Sequence, residues 1–357
     1  METSLLHPRR GRQHAGQRRR RLRFTGELLV LGGLGGLAWL EHHAIGRTVA
    51  VLPRADWRWL LAAAGLELVS LMGFARTQRL ILRAEGIQVR AIWMAATTFA
   101  GNAISVSLPL VGPGAGTAFT FGRFQRVTGD AATAGWALVV AGFVSSLVWA
   151  LILAAGAVLS GNGTALVVGL ILATVIVVVT VAGPSVLHRP KLRQVTTKGA
   201  ARVLQRVMQL TKRPAGDPVQ HVDQAINRLL ALRISLRRSV EVVGFSLVNW
   251  LGSVGCLAAA ILAVHAPVPW SSLLLVYVAG AAAGSFNLTP GGLGVVEGAL
   301  AATLVAAGMH SDKAFGSVLI FRLVSFWLVA LVGWAIFATV DRPSQRPADR
   351  SSQAGDS

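Results

Sequence analysis

The chain has 357 residues, 53% of them hydrophobic and only 14% charged, against about 25% charged in an average soluble domain. Too few polar side chains exist to cover a globule of this size, so the composition excludes a water-soluble enzyme and turns apolar surface towards lipid. The net charge of +19 raises nucleic acid as a partner, but the basic residues flank apolar runs. There the positive-inside bias and anionic headgroups account for them, and no nucleic acid is expected.

In chain order, residues 1–25 hold Arg9, Arg10, Arg12, Arg18, Arg19, Arg20, Arg21 and Arg23 and read as a basic, disordered cytoplasmic tail. The apolar run after it resembles a secretory signal. Glu41, His42 and His43 follow it without a small-residue cleavage site, so the run reads as an uncleaved first span. A bilayer core of about 30 Å needs about 20 apolar helical residues. That ruler gives about six full spans, at 26–46, 57–76, 131–157, 163–183, 240–264 and 314–340. Two further apolar stretches, 91–122 and 271–308, are interrupted by proline and glycine.

Charge then orients the spans. With the arginine-rich tail in the cytoplasm, the second span returns Arg76, Arg79, Arg83 and Arg90 to the same side. The segment 184–239 carries a dozen basic residues against Asp217 and Asp223, and it stays cytoplasmic only if 91–122 enters and leaves on one side. It reads as two amphipathic helices, either lying on the leaflet or serving as a solvated connector. By the same rule 271–308 begins and ends outside, and the tail 341–357 is cytoplasmic and disordered. The expected fold is therefore all-α, a polytopic helical bundle with two broken, re-entrant or hairpin elements. Its domains are a first membrane half, 26–183, the basic loop 184–239, and a second half, 240–340.

The broken elements correspond. The first runs from Ala100 and Gly101 through Asn102 to Pro109, then Gly112, Pro113, Gly114 and Gly116; the second runs from Ala279 and Gly280 through Ser285, Asn287 and Thr289 to Pro290, Gly291 and Gly292. Paired interruptions of opposite topology point to an inverted repeat and to a midplane transport site. Irregular backbone at membrane depth needs protein or a water-filled cavity to satisfy it. The bland alternative is that these residues kink ordinary helices or let helices pack closely.

Three ionisable residues fall within apolar segments: Glu67, Glu297 and Arg322. Each costs about 2.5–3.5 kcal/mol at mid-membrane even on the lenient scale, so each needs a partner or a function. Glu297 reads as a helix-start carboxylate, as the ion-pair partner of Arg322, or as the group that holds Arg322 on a lipid phosphate. Glu67 is an alternative partner for Arg322. Asn249, Ser145 and Ser146 read as interhelical hydrogen-bonding groups. Trp57, Trp59 and Trp270 read as interfacial anchors, and the single Cys256 as a packing residue. No phosphate-binding loop, nucleophile elbow or zinc motif is present, and no catalytic residue, metal or other cofactor is expected.

The segment Asn287-Leu288-Thr289-Pro290-Gly291-Gly292-Leu293-Gly294-Val295-Val296-Glu297, with Gly308 and then Phe321-Arg322-Leu323-Val324-Ser325-Phe326-Trp327, resembles the lysylphosphatidylglycerol synthase transmembrane-region family, also described as flippase-like. The family's Pro-Gly-Gly motif ending in glutamate and its late arginine fall in register here. Asn102 to Pro109, Gly112 and Arg123 resemble its early motif, although the Gly-Glu pair that often follows the proline is replaced by Gly112, Gly114 and Gly116 without an acid. The resemblance spans about 26–340. Family members fused to an aminoacyl-transferase modify phosphatidylglycerol, but only a short tail follows the last span here, so the expectation is the membrane part alone. It implies a non-enzymatic, flippase-like transporter of a polar-headed or anionic lipid, or of a lipid-linked precursor, in the bacterial plasma membrane. The rivals are a scaffold for a lipid-modifying enzyme and a lipid-linked-sugar transferase. The substrate-binding residues implied are Glu297, Arg322, Asn287, Thr289, Pro290, Gly291, Gly292, Asn102, Pro109 and Glu67.

Overall fold

A computed structural model describes residues 55–161, 236–285 and 289–340, Pro53, and isolated positions between 163 and 220. The two tails, the span at 26–46, about half of 163–183, most of the basic loop, and Asn287 lie outside the described residues. Among the described residues the ordered elements are helical. They are α1 (Trp57–Ala84), α2 (Ala91–Ser107), α3 (Gly112–Thr128), α4 (Ala131–Leu159), α5 (Leu236–Ala263), α6 (Leu273–Ser285) and α7 (Val295–Ala306). The last helix, α8, consists of Ser311–Arg322, a π-helical turn at Leu323–Leu328, and Val329–Val340.

Four helices, α1, α4, α5 and α8, are long and apolar enough to cross a membrane. The described residues thus account for four of the expected six spans. α1 and α5 outrun their expected limits because the helix continues past the apolar core into charged sequence, through Arg76, Arg79 and Arg83 in α1 and back to Arg237 and Arg238 in α5. Start signals are local. The Asp56 side chain accepts from the Arg58 N–H at 2.9 Å, and Asp130 accepts from Ala132 and Thr133 at the start of α4.

α1 and α5 form the central antiparallel pair. Their contact depends on glycine: a Cβ at Gly73 would meet Phe245 O and Asn249 N at 2.9 Å, and one at Gly252 would meet Leu66 O at 2.9 Å. The bundle consequently has two distinct ends. At one end Ala63 of α1 packs with Ala263 of α5, Leu304 of α7 and Ala314 of α8. There Asp56 N–H donates to Ala263 O at 2.9 Å, and the Lys313 ammonium donates to Val264 O. At the other end Leu82 of α1 packs with Met94 of α2, Phe124 of α3, Trp136 of α4 and Val242 of α5.

Both broken stretches are helical hairpins, and they enter from opposite ends. In the first, α2 and α3 run antiparallel about the break at 108–111; a Cβ at Gly112 or Gly116 would collide with Ser105, and one at Gly101 would meet Thr120 Oγ1 at 2.7 Å. Each arm has 17 residues, about 26 Å of helix, short of a bilayer core of about 30 Å. In the second, α6 and α7 run antiparallel, with Gly280 against Leu300 and Gly284 against Val296. Its arms have 13 and 12 residues, about 20 and 18 Å. The order span, hairpin, span therefore occurs twice, in opposite sense along the bundle. The exchange is reciprocal: Gly333 of α8, in the second half, packs on Phe99 and Ala103 of the first hairpin, while Gly156 of α4 packs on Leu274 of the second.

Candidate functional site

The hairpin tips meet. Val106, just before the first break, packs against the cluster of Leu293, just after the second, and Phe326 of the π-helical turn, together with Trp327. Trp334 Nε1 donates to Ser107 Oγ at 2.9 Å, tying α8 to the same tip. π-Helical turns recur at functional sites because the extra residue redirects side chains. Here the turn begins immediately after Arg322.

The first tip is strained. Leu110, with φ of 57°, is a branched residue in the left-handed region, which costs of order 1–2 kcal/mol. Pro109 and Leu110 are exposed, and Leu110 reaches 70% exposure. Asn102 is half-buried on α2 and shares a helical strip with Val106, four residues on.

The second tip is tightly built. Thr289 donates its hydroxyl to Leu293 O at 2.7 Å, closing the turn that contains Pro290, Gly291 and buried Gly292. Gly291, Gly292 and Gly294 have φ of 58°, 68° and 85°, backbone that glycine alone adopts without strain. This geometry turns the Gly291 carbonyl towards α8, where it accepts from Arg322 Nη2 at 2.7 Å. Arg322 Nε donates to Glu297 Oε1 at 2.5 Å, and Glu297 Oε2 accepts from the Gly294 N–H at 2.6 Å. The guanidinium also lies 4.6 Å from the centroid of the Phe326 ring, within cation–π range.

Two readings of Glu297 are thus realised together. It sits in the first turn of α7, reaching back to a backbone N–H and the positive end of the helix, and it pairs with Arg322. The pair is not fully enclosed by protein, with side-chain exposures of 12% for Arg322 and 19% for Glu297.

Glu67 is placed elsewhere. It is buried on α1 and accepts from Ser253 Oγ at 3.2 Å. Ser253 in turn lies 2.9 Å from Ser70 Oγ, and Ser70 lies 3.1 Å from Asn249 Oδ1. The Arg322 partner is therefore Glu297. Glu67 also borders an open, otherwise apolar groove of about 390 Å³, lined by Leu68, Leu71, Phe99, Val324 and Val329 among others.

Of the expected site residues, the structure brings together Thr289, Pro290, Gly291, Gly292, Glu297 and Arg322. Asn102 and Pro109 belong to the facing hairpin, Glu67 to a separate cluster, and Asn287 lies outside the described residues. Asn249 bridges α5 to α1 as expected of an interhelical group, and Trp250 Nε1 donates to Ser145 Oγ at 3.2 Å, whereas Ser146 bonds within its own helix. Phe326, Val106, Trp334 and Ser253 were not singled out from sequence. A π-helical turn leaves no mark in hydrophobic periodicity, and Ser253 becomes informative only opposite Glu67. Among the described residues no cluster of three or more metal-ligating side chains occurs.

No curated protein matches the chain. The profile described as lysylphosphatidylglycerol synthase TM region matches residues 25–333. With its crossing helices, this makes the chain a multi-pass membrane protein and a member of the lysylphosphatidylglycerol synthase TM region family.

Proposed function

We propose that this protein moves a polar-headed or anionic lipid, or a lipid-linked precursor, across the bacterial plasma membrane without making or breaking a covalent bond. The observation that carries this reading is the Arg322–Glu297–Gly291 cluster at the point where two opposed hairpins touch. A polar centre halfway along two short hairpins is reached from both ends by modest motion of either one. A lipid phosphate replaces the Gly291 carbonyl on the guanidinium, whose planar fork suits phosphate. Glu297 holds the guanidinium in place, and Asn102, Thr289 and the strained Pro109–Leu110 break lie beside the headgroup path. The end bearing Arg79, Arg83, Arg90, Arg123 and Arg126 faces the cytoplasm in this reading, as do both termini.

The test is reconstitution in liposomes with headgroup-labelled phosphatidylglycerol and a chemical quencher of the outer leaflet. The expected result is protein-dependent exposure of the inner-leaflet label, lost in Arg322→Ala. No exposure at all points instead to a scaffold that recruits a lipid-modifying enzyme, and a changed lipid mass points to a transferase.

A further inference from the structure

The cluster around Glu67 obeys a hydrogen count. Three contacts in series join Glu67 to Ser253 at 3.2 Å, Ser253 to Ser70 at 2.9 Å and Ser70 to Asn249 at 3.1 Å. Each contact needs one hydrogen, and the two serine hydroxyls supply one each. The third must come from one end of the chain. Either Asn249 turns its amide N–H₂ to Ser70 and every hydroxyl points towards a carboxylate at Glu67, or Asn249 presents its oxygen and Glu67 itself donates as a carboxylic acid. The same heavy-atom positions serve both arrangements, and passing between them takes one proton at Glu67, rotation of two hydroxyls and a turn of one amide.

Two further groups touch this chain, Cys256 at Glu67 and Tyr277 at Ser253, and since each carries its own hydrogen the count over the three contacts stands. Cys256 of α5 and Tyr277 of α6 are the titratable groups facing Glu67. α2, α4 and the π-helical turn contribute none, and Arg322 is committed to Glu297. Among the described residues no cation lies within ion-pair distance of Glu67. A carboxyl within a membrane-crossing helix, linked through hydroxyls to a second helix and bordering an open groove, is the arrangement of an intramembrane proton relay.

We propose that Glu67 is a proton-binding site whose hydrogen-bond chain to Asn249 reverses direction on protonation, and that it couples lipid movement to the proton gradient. The coupling rests on the transport reading above; the proton site does not. The proton enters and leaves as such, bound to one carboxylate oxygen, and no covalent bond between heavy atoms changes.

Two measurements test the proposal. Infrared difference spectra of the intact protein in vesicles, recorded between acidic and alkaline pH, are expected to show a carboxylic-acid band that disappears in Glu67→Gln and moves in frequency in Asn249→Leu. Superimposable spectra for the wild type and both variants overturn the proton site. If Glu67→Gln yields no folded protein, the response of Asn249→Leu decides alone. In the liposome assay, an imposed pH gradient is expected to change the wild-type rate and to have no effect on Glu67→Gln, and an equal response in both overturns the coupling. Absence of any lipid movement sinks the transport reading, while the infrared band still decides for or against Glu67 as a proton site.

Discussion

The Phe326 ring occupies the space that a side chain at Gly291 would need, and in doing so sets the guanidinium of Arg322 between an aromatic face and a backbone carbonyl. Gly291 meets two demands at once, since its φ of 58° is also left-handed. Gly291→Ala is expected to lower stability by about 1–2 kcal/mol from backbone strain, with about 1–3 kcal/mol more from overpacking against Phe326. Gly298→Ala, where a Cβ meets nothing within 4 Å, serves as control and is expected to be neutral or slightly stabilising. Thermal unfolding in detergent, followed by size exclusion, reads the difference.

The Arg322–Glu297 pair predicts non-additivity. Removing either partner leaves the other partly buried without its counter-charge, which costs more than the intact pair contributes. Arg322→Ala and Glu297→Gln are each expected to destabilise. The double variant should fall short of their sum by about 0.5–3 kcal/mol, the usual range for groups in direct contact. Additive losses would mean that the contact has no energetic weight. The same cycle in the transport assay separates the roles: Arg322→Lys keeps the charge but loses the fork, so translocation should fall while stability largely holds.

How much of this was legible beforehand follows from what each feature depends on. The two hairpins were readable because proline and glycine interrupt the apolar runs, and because the basic segment 184–239 stays on the side of Arg76 to Arg90 only if the first stretch enters and leaves on that side. The Glu297–Arg322 pair was readable as one of two options, since any charge in an apolar helix needs a counterpart; choosing between Glu67 and Glu297 required knowing that α1 binds α5 through Ser70 and Ser253. The π-helical turn after Arg322 was not readable. It lies where Phe326 meets Gly291 and the cluster with Val106, which are remote in sequence, and Leu323 to Leu328 is as apolar as any span.

The α1–α5 contact predicts a sharp positional contrast. A Cβ at Gly252 would stand 2.9 Å from both Leu66 O and Ser70 Cβ, whereas one at Gly244 of the same helix meets nothing within 4 Å. Gly252→Ala must push the helices apart, at an expected cost of about 1–3 kcal/mol, and would stretch the Ser70–Ser253 contact. Gly244→Ala should be neutral or gain up to ~1 kcal/mol of helix propensity. Equal melting temperatures for the two variants would show that α1 and α5 do not approach this closely.

Opposite entry of the hairpins predicts labelling from opposite sides. Gln88 lies exposed at the base of the first hairpin and His310 exposed at the base of the second. The native Cys256 is fully buried and inert to aqueous reagents, so single cysteines can be added without removing it. Gln88→Cys should react only from the face that carries the arginines, and His310→Cys only from the other. Reaction of both from one face would undo the inverted repeat.

Contact between the tips predicts a cross-link that no ordinary pair of kinked spans would give. Val106 and Leu293 pack in one cluster although 187 positions separate them, and a protease site placed within 184–239 divides the chain between them. With cysteines at both positions and a short bifunctional thiol reagent, the two fragments should stay joined after proteolysis. Cysteines at Val106 and Val305, near the far end of α7, should let them separate. If transport moves one hairpin past the other, the cross-link should also stop translocation, and reductive cleavage of the linker should restore it. A cross-linked protein that still moves lipid would place the path outside the tips and remove Arg322 from it, while leaving the fold untouched.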